Sequence, residues 1–152
     1  MAEEISYLDA INRTASMVGL EARDKDEAFR AVAARLAESG AVTSPDQFVA
    51  DLYAREAEGP TGIGGGIAIP HGKSQAVAHT CITPIKLAQP LPWEGADDAP
   101  VSVLLVFAVR AEDSTDLHLR LLAQVARKLA HEDVCERLVA AESVDEMIAA
   151  LS

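Results

Sequence analysis

Val101-Ser102-Val103-Leu104-Leu105-Val106-Phe107-Ala108-Val109 is the stretch that decides the fold. It is apolar nearly throughout and rich in valine, as a strand is when both of its sheet faces are covered. It is far shorter than the roughly 18 residues needed to cross a bilayer. Its covers can be found on either side of it. Downstream, an acidic polar loop (Ala111 to Thr115) leads into a helix expected from about Asp116 to His131, with Leu117, Leu121, Leu122, Val125 and Leu129 as its buried stripe. A shorter helix fits Val134 to Ala141, and Ser143 with Glu146 offers a capping box for a last helix ending at Leu151. Upstream, Ile82 to Ala88 reads as a strand, with Pro84 suggesting an edge position. Pro90 to Gly95 reads as a turn, Ile67-Ala68-Ile69 as a short extended piece, and Met17 to Ala22 as a further strand.

Two more helices precede these. Asp24 with Glu27 opens one, carrying Ala28, Phe29, Val32, Ala33 and Leu36 at helical spacing and closed by Gly40. Ser44-Pro45-Asp46-Gln47 opens the next, with Phe48, Val49, Leu52 and Tyr53 as its inner stripe and an end near Ala57. Helices and strands alternate, which predicts an α/β sandwich in one domain over residues 1–152. Of these residues 49% are hydrophobic, enough for a core, but only 4% are aromatic, so aliphatic side chains must fill it.

Charge narrows the function. The formal net charge is −11 and there is no Lys/Arg-rich block, so nucleic acid and anionic membrane surfaces are poor partners. Cys81 and Cys135 lack CxxC spacing, and the start Met-Ala-Glu-Glu is not a secretory signal. A cytoplasmic protein with buried, reduced thiols is the expectation. The histidines at 71, 79, 118 and 131 show no HExxH pairing and no cluster to complete a ligand set, so no metal site is expected.

Gly59-Pro60-Thr61-Gly62-Ile63-Gly64-Gly65-Gly66 reads as a loop with special backbone needs. It is not a P-loop, because no Gly-Lys-Ser/Thr follows at the required spacing. It is not a dinucleotide fingerprint either, because its glycines precede an extended piece instead of opening a helix. The segment after it, Gly66-Ile67-Ala68-Ile69-Pro70-His71-Gly72, is more telling. Pro70 fixes its own φ and pushes Ile69 toward an extended backbone. Gly72 removes bulk beside the imidazole. Together they present one histidine at a strand tip, either as a reactive group or as a plain turn residue.

Arg55-Glu56, Thr61-Gly62-Ile63-Gly64 and Gly66-Ile67-Ala68-Ile69-Pro70-His71-Gly72-Lys73 together resemble the phosphohistidine signature of the fructose/mannitol family of phosphotransferase-system enzyme IIA domains. Asp116-Leu117-His118-Leu119-Arg120-Leu121-Leu122 is similar to that family's second histidine motif. Arg55 lies 16 positions before His71, and His118 lies 47 after it, spacings similar to the family's. The resemblance extends over essentially the whole chain. It implies a mixed β-sheet sandwiched by helices, and a phosphocarrier. The small protein HPr would supply a phosphoryl group to Nε2 of His71. A cysteine of the IIB component would receive it, and IIB would pass it to a sugar carried by the membrane component IIC. The resemblance implies no cofactor.

Residue chemistry fits these roles. A neutral imidazole nitrogen is a competent nucleophile near neutral pH. Transfer itself is mostly positioning and charge stabilisation. Arg55 suits phosphate oxygens through its planar fork. His118, near a helix N-terminus, can donate to the phosphate. Thr61 is a candidate hydroxyl donor and Glu56 a structural or orienting group. Lys73 is a candidate docking residue, and His79 and His131 are surface or packing residues. Gly65 stands where many relatives carry Asn, so the loop is expected to organise itself through backbone. Ile63, Ile67 and Leu117 are candidates for an apolar docking rim. Three functions share this pattern. The first is a free-standing sugar-system IIA of the fructose branch, with no fused IIB, IIC or HPr. The second is a nitrogen-type IIA that regulates target proteins. The third is a sensor module from a transcription regulator, disfavoured because no DNA-binding segment is evident.

Overall fold

The computed structural model describes residues 6–97 and 99–152. The acidic first residues, on which the absence of a signal was read, lie outside them.

Strand β1 (Met17–Leu20) is followed by helices α1 (Lys25–Glu38) and α2 (Pro45–Glu56), and by short strands β2 (Gly62–Gly64), β3 (Ile67–Ala68) and β4 (His71–Ser74). The long strands β5 (Cys81–Leu91) and β6 (Val101–Arg110) come next, then helices α3 (Thr115–Leu129), α4 (Glu132–Ala140) and α5 (Val144–Leu151). They form one six-stranded mixed sheet in the order β1-β5-β6-β3-β2, with β4 also on β6. β5 runs antiparallel to β6, whereas β1 is parallel to β5, and β3 and β4 are parallel to β6.

β6 shows why its sequence decides the architecture. Leu104, Val106 and Ala108 join a core with α1 and α2 on one face. Val103, Leu105, Phe107 and Val109 join a second core with α3, α4 and α5 on the other. The period of two in side-chain direction delivers apolar groups alternately to both layers. Full burial of each large side chain stabilises the fold by about 1.5–3 kcal/mol.

The helices start where their caps predict. Asp24, Ser44 and Ser143 each accept a hydrogen bond from the N–H three residues on. The cap of α3 is Ser114, which accepts from Leu117, so that helix begins one residue earlier than expected and ends at Leu129. α4 likewise begins earlier than expected, at Glu132. Gly40 closes the α1 region at φ +84°, a left-handed conformation that glycine adopts without a Cβ clash.

Several expectations are corrected. β5 is an interior strand despite Pro84. The missing N–H of Pro84 falls in a gap between Asn12, which bonds to Ile82, and the start of the β1 pairing at Ile85. β5 runs on to Leu91, into the segment read as a turn, and the Trp93 beyond it is buried. The glycine-rich segment is not all loop: Gly62–Gly64 is a strand, and Gly64 to Gly66 turn the chain with positive φ. Gly62 also lies against Gly95, where an added Cβ would come within 2.5 Å of the Gly62 carbonyl oxygen. Tyr53 is exposed and donates its hydroxyl to Asp26 instead of filling the core. Cys81 is buried, but Cys135 is only half-buried.

Candidate functional site

β6 aligns two short strands along one side. β3 pairs with its first half, Ile67 opposite Val103, and β4 with its second half, His71 opposite Phe107. Ile69 and Pro70 make the break between them. His71 is thus the first residue of a new strand, neither the tip of the one before it nor a plain turn residue, and its Cα is held in sheet register. The pleat sends successive residues to opposite faces. His71 faces α3, its ring 5.7 Å from the ring of His118. Gly72 faces α2, where a Cβ would stand 3.3 Å from the Phe48 ring and 3.4 Å from the Leu52 backbone nitrogen. The glycine therefore admits the helix that carries Arg55, and does not clear space beside the imidazole.

Both nitrogens of His71 are engaged. Arg55 Nε donates to Nε2 at 2.8 Å, so Nε2 must hold a lone pair. Nδ1 then carries the proton and donates to the Ile69 carbonyl at 2.9 Å. The neutral tautomer is fixed with Nε2 as the nucleophilic atom. Arg55 itself is steadied by donating to the Gly59 carbonyl at 2.9 Å. Burial lowers the His71 pKa below its ordinary value near 6.5; the hydrogen bond to the Ile69 carbonyl opposes this in part, the Arg55 charge lowers it further, and Glu56 and Glu58 raise it by less. Neutrality at physiological pH follows.

His118 is the fourth residue of α3 and packs against Phe107, ring centroids 5.6 Å apart. Burial lowers its pKa too, and the proximity of His71, Lys73 and Arg55 lowers it further. Its Nε2 is buried and, among the described residues, is the one buried side-chain polar atom without a hydrogen-bond partner. An unpaired polar atom costs about 1–3 kcal/mol unless a ligand engages it. The two rings, Arg55, Lys73, Asp51 and Glu58 line an open cleft of about 320 Å³. Asp51 and Glu58 carried no motif signal and were not anticipated.

Thr61 and Glu56 sit together elsewhere. The Thr61 hydroxyl bonds to Glu56 and accepts from Trp93 Nε1 at 3.1 Å, so it is not turned toward the imidazole. Glu56 also pairs with Lys25 at 3.2 Å. Gly65 adopts φ +66°, and its N–H donates to the Asp97 carboxylate at 3.2 Å, so a side chain does help to hold this turn. Of the expected docking rim, Ile63 is exposed and Leu117 half-buried, but Ile67, in β3 beside β6, is wholly buried. Leu119, 55% exposed and one residue past His118, is the apolar group the sequence reading missed. His79 and His131 are exposed.

A roomier groove of about 540 Å³ lies between Ile63, Gly65 and α4. Its one nucleophile is Cys135, whose thiol pKa is pushed up by burial and by Asp133, Glu132 and Glu136. Both candidate histidines and Arg55 are in the smaller cleft. No group of three or more potential metal ligands occurs among the described residues.

Residues 11–152 match the family model "Phosphoenolpyruvate-dependent sugar phosphotransferase system, EIIA 2". The chain belongs to this EIIA family. It is 33% identical over 92% of its length to the PTS system 2-O-alpha-mannosyl-D-glycerate-specific EIIABC component of Escherichia coli K12, of which it spans 21%. It is 38% identical over 70% of its length to the PTS system fructose-specific EIIA component of Haloferax volcanii, covering 68% of that protein. The EIIA fold is shared with the crystal structure of nitrogen regulatory protein IIA-Ntr from Neisseria meningitidis, with TM-score 0.82, 28% identity, and coverage of 95% of this chain and 98% of that one. It is shared also with IIA in the complex of enzyme IIAMTL and phosphorylated enzyme IIBMTL from Escherichia coli, with TM-score 0.70, 27% identity, and coverage of 88% and 92%. No helix among the described residues is long and apolar enough to cross a membrane.

Proposed function

We propose that this EIIA domain is a phosphocarrier that takes a phosphoryl group from phospho-HPr onto Nε2 of His71 and passes it to a cysteine of a IIB component for sugar uptake. The carrying observation is the fixed tautomer: Nδ1–H tied to Ile69 O and the Nε2 lone pair turned to Arg55 at 2.8 Å. In the first step the Nε2 lone pair forms the N–P bond while the N–P bond to the HPr imidazole breaks and that ring leaves with its electron pair. In the second, a IIB thiolate forms a P–S bond and the His71 N–P bond breaks, returning the lone pair to Nε2. Arg55 releases Nε2 as the phosphoryl group arrives and turns its donors to the phosphate oxygens. The buried Nε2 of His118 gains its missing partner there when it carries a proton.

The sugar-transport reading draws support from the fructose-specific Haloferax relative, and the IIB partner from the IIAMTL–IIBMTL complex. Exposed Leu119 and Ile63, with Lys73 at the cleft, would meet HPr and IIB in turn. A second reading, a nitrogen-type regulator that uses the same phosphohistidine to control target proteins, is favoured by the likeness to IIA-Ntr. Incubation with phosphoenolpyruvate, enzyme I and HPr tests the chemistry. One acid-labile phosphate per chain is expected, and none on His71→Ala; undiminished labelling of that variant would overturn the assignment. Onward transfer to a purified IIB protein separates the transport reading from the regulatory one.

A further inference from the structure

The hydrogen bonds around His71 close into a circuit. Arg55 and Glu56 are neighbours on the last turn of α2, so their side chains leave the helix about 100° apart. Arg55 reaches Nε2 of His71 at 2.8 Å. Nδ1 of His71 holds the Ile69 carbonyl at 2.9 Å, and the Ile69 N–H donates to the Thr61 carbonyl at 2.9 Å. The Thr61 hydroxyl bonds to Glu56, which is covalently next to Arg55. Both imidazole nitrogens are therefore links in one closed chain that returns to its starting helix.

The far side of this circuit is built to hold still. Thr61 is 5% exposed, and its hydroxyl has a single proton. Because Trp93 Nε1–H donates to that oxygen at 3.1 Å, the proton goes to Glu56 and the hydroxyl has one orientation. The Glu56 side chain is only 10% exposed, and a carboxylate so placed needs partners. Lys25 supplies one at 3.2 Å, and its Nζ also lies 4.5 Å from the centre of the Trp93 ring. Trp93 in turn packs edge-on against Phe29 of α1, centroids 5.6 Å apart. None of Lys25, Thr61 and Trp93 lines the cleft that holds His71.

We infer that Lys25, Glu56, Thr61 and Trp93 form a positioning clamp that sets the tautomer and orientation of His71 and the reach of Arg55, without touching the phosphoryl group. The statement about tautomer stands on this geometry alone, while the one about transfer rate rests on the phosphocarrier reading above. Thr61 is thereby a positioning residue and not a phosphate donor.

The test uses the full chain with ¹⁵N-labelled histidine. In the unphosphorylated wild type, the His71 ring nitrogens should report a single Nδ1–H tautomer. Thr61→Val, which keeps the shape and loses the hydroxyl, should give a tautomer mixture. It should also lower the maximal rate of phosphoryl uptake from phospho-HPr by about 10- to 100-fold with little change in KM, as expected for a misplaced reacting group. Thr61→Ser should restore both. Trp93→Phe, which loses one neutral donor, should slow uptake by about two- to tenfold. Glu56→Gln provides the same readout as Thr61→Val should the latter fail to fold. A folded Thr61→Val or Glu56→Gln protein with a single wild-type tautomer and wild-type uptake would overturn the clamp. If the wild type accepts no phosphate at all, the phosphocarrier reading fails, and the tautomer measurement still decides the clamp.

Discussion

His71 and His118 face each other at 5.7 Å, yet they are held in opposite ways. Both nitrogens of His71 are bonded before any ligand arrives, one to Arg55 and one to Ile69. His118 is fixed by packing on Phe107 and by its place near the start of α3, and its buried Nε2 has no partner. The first ring has its tautomer fixed, with the lone pair on Nε2. The second is an incomplete hydrogen-bonding group placed beside it. For the proposed transfer, a donor at His118 speeds a step only where it holds the phosphoryl group more strongly in the transition state than in the bound ground state.

Breaking the prepared side should cost most. Arg55→Ala removes the Nε bond to His71 and the charge that would face the phosphate, and uptake should fall about 100- to 1,000-fold, the usual loss when one preorganised donor is deleted. Rapid-quench kinetics with phospho-HPr would measure it, and a loss under tenfold would place Arg55 outside the reaction.

Acid should be the next strongest perturbation. Protonating His71 Nε2 destroys the nucleophile, and burial and Arg55 hold its pKa below the ordinary 6.5. The uptake rate should therefore stay level as pH falls through 6.5 and then drop about tenfold per unit below the lowered value. The same shift makes folding stability rise with pH between the lowered value and 6.5, since the unfolded chain binds the extra proton there; the contribution is complete above 6.5 and lost below the folded value. A midpoint above 6.5 in the pH profile would contradict the buried, Arg55-facing environment. On the other ring, His118→Ala should leave uptake within about threefold and slow donation to IIB about tenfold, the worth of one donor to a charged group. Equal effects on both half-reactions would erase the distinction between the rings. His131→Ala is the smallest change expected, within about 0.5 kcal/mol by thermal denaturation, because the residue is exposed and makes no side-chain cap bond.

How far the sequence could be read depended on whether the signal was local. The alternation of β6 and the caps at Asp24 and Ser44 act within one turn or one strand, and they were legible. The spacing of Arg55, His71 and His118 carried a resemblance, and the fold brings these three side chains to one cleft. Pro84 misled because an interior strand can host proline where its neighbour is interrupted, and the break between Asn12 and Met17 is a tertiary fact. Tyr53 misled because its helical phase is inward, yet Asp26 draws its hydroxyl to the surface. The commitment of Thr61 to Glu56 and Trp93, over 30 residues apart in the second case, had no local trace at all.

β3 and β4 both pair with β6, β3 having β2 on its other side, so the stretch on either side of Ile69 and Pro70 is fastened to one rail. A visiting partner cannot slide the imidazole along or across the sheet without unzipping those ladders. Encounters at this spot thus need little remodelling of the host, and brief visits can suffice. The molecule resembles a fixed mooring, where vessels come and go while the bollard stays put.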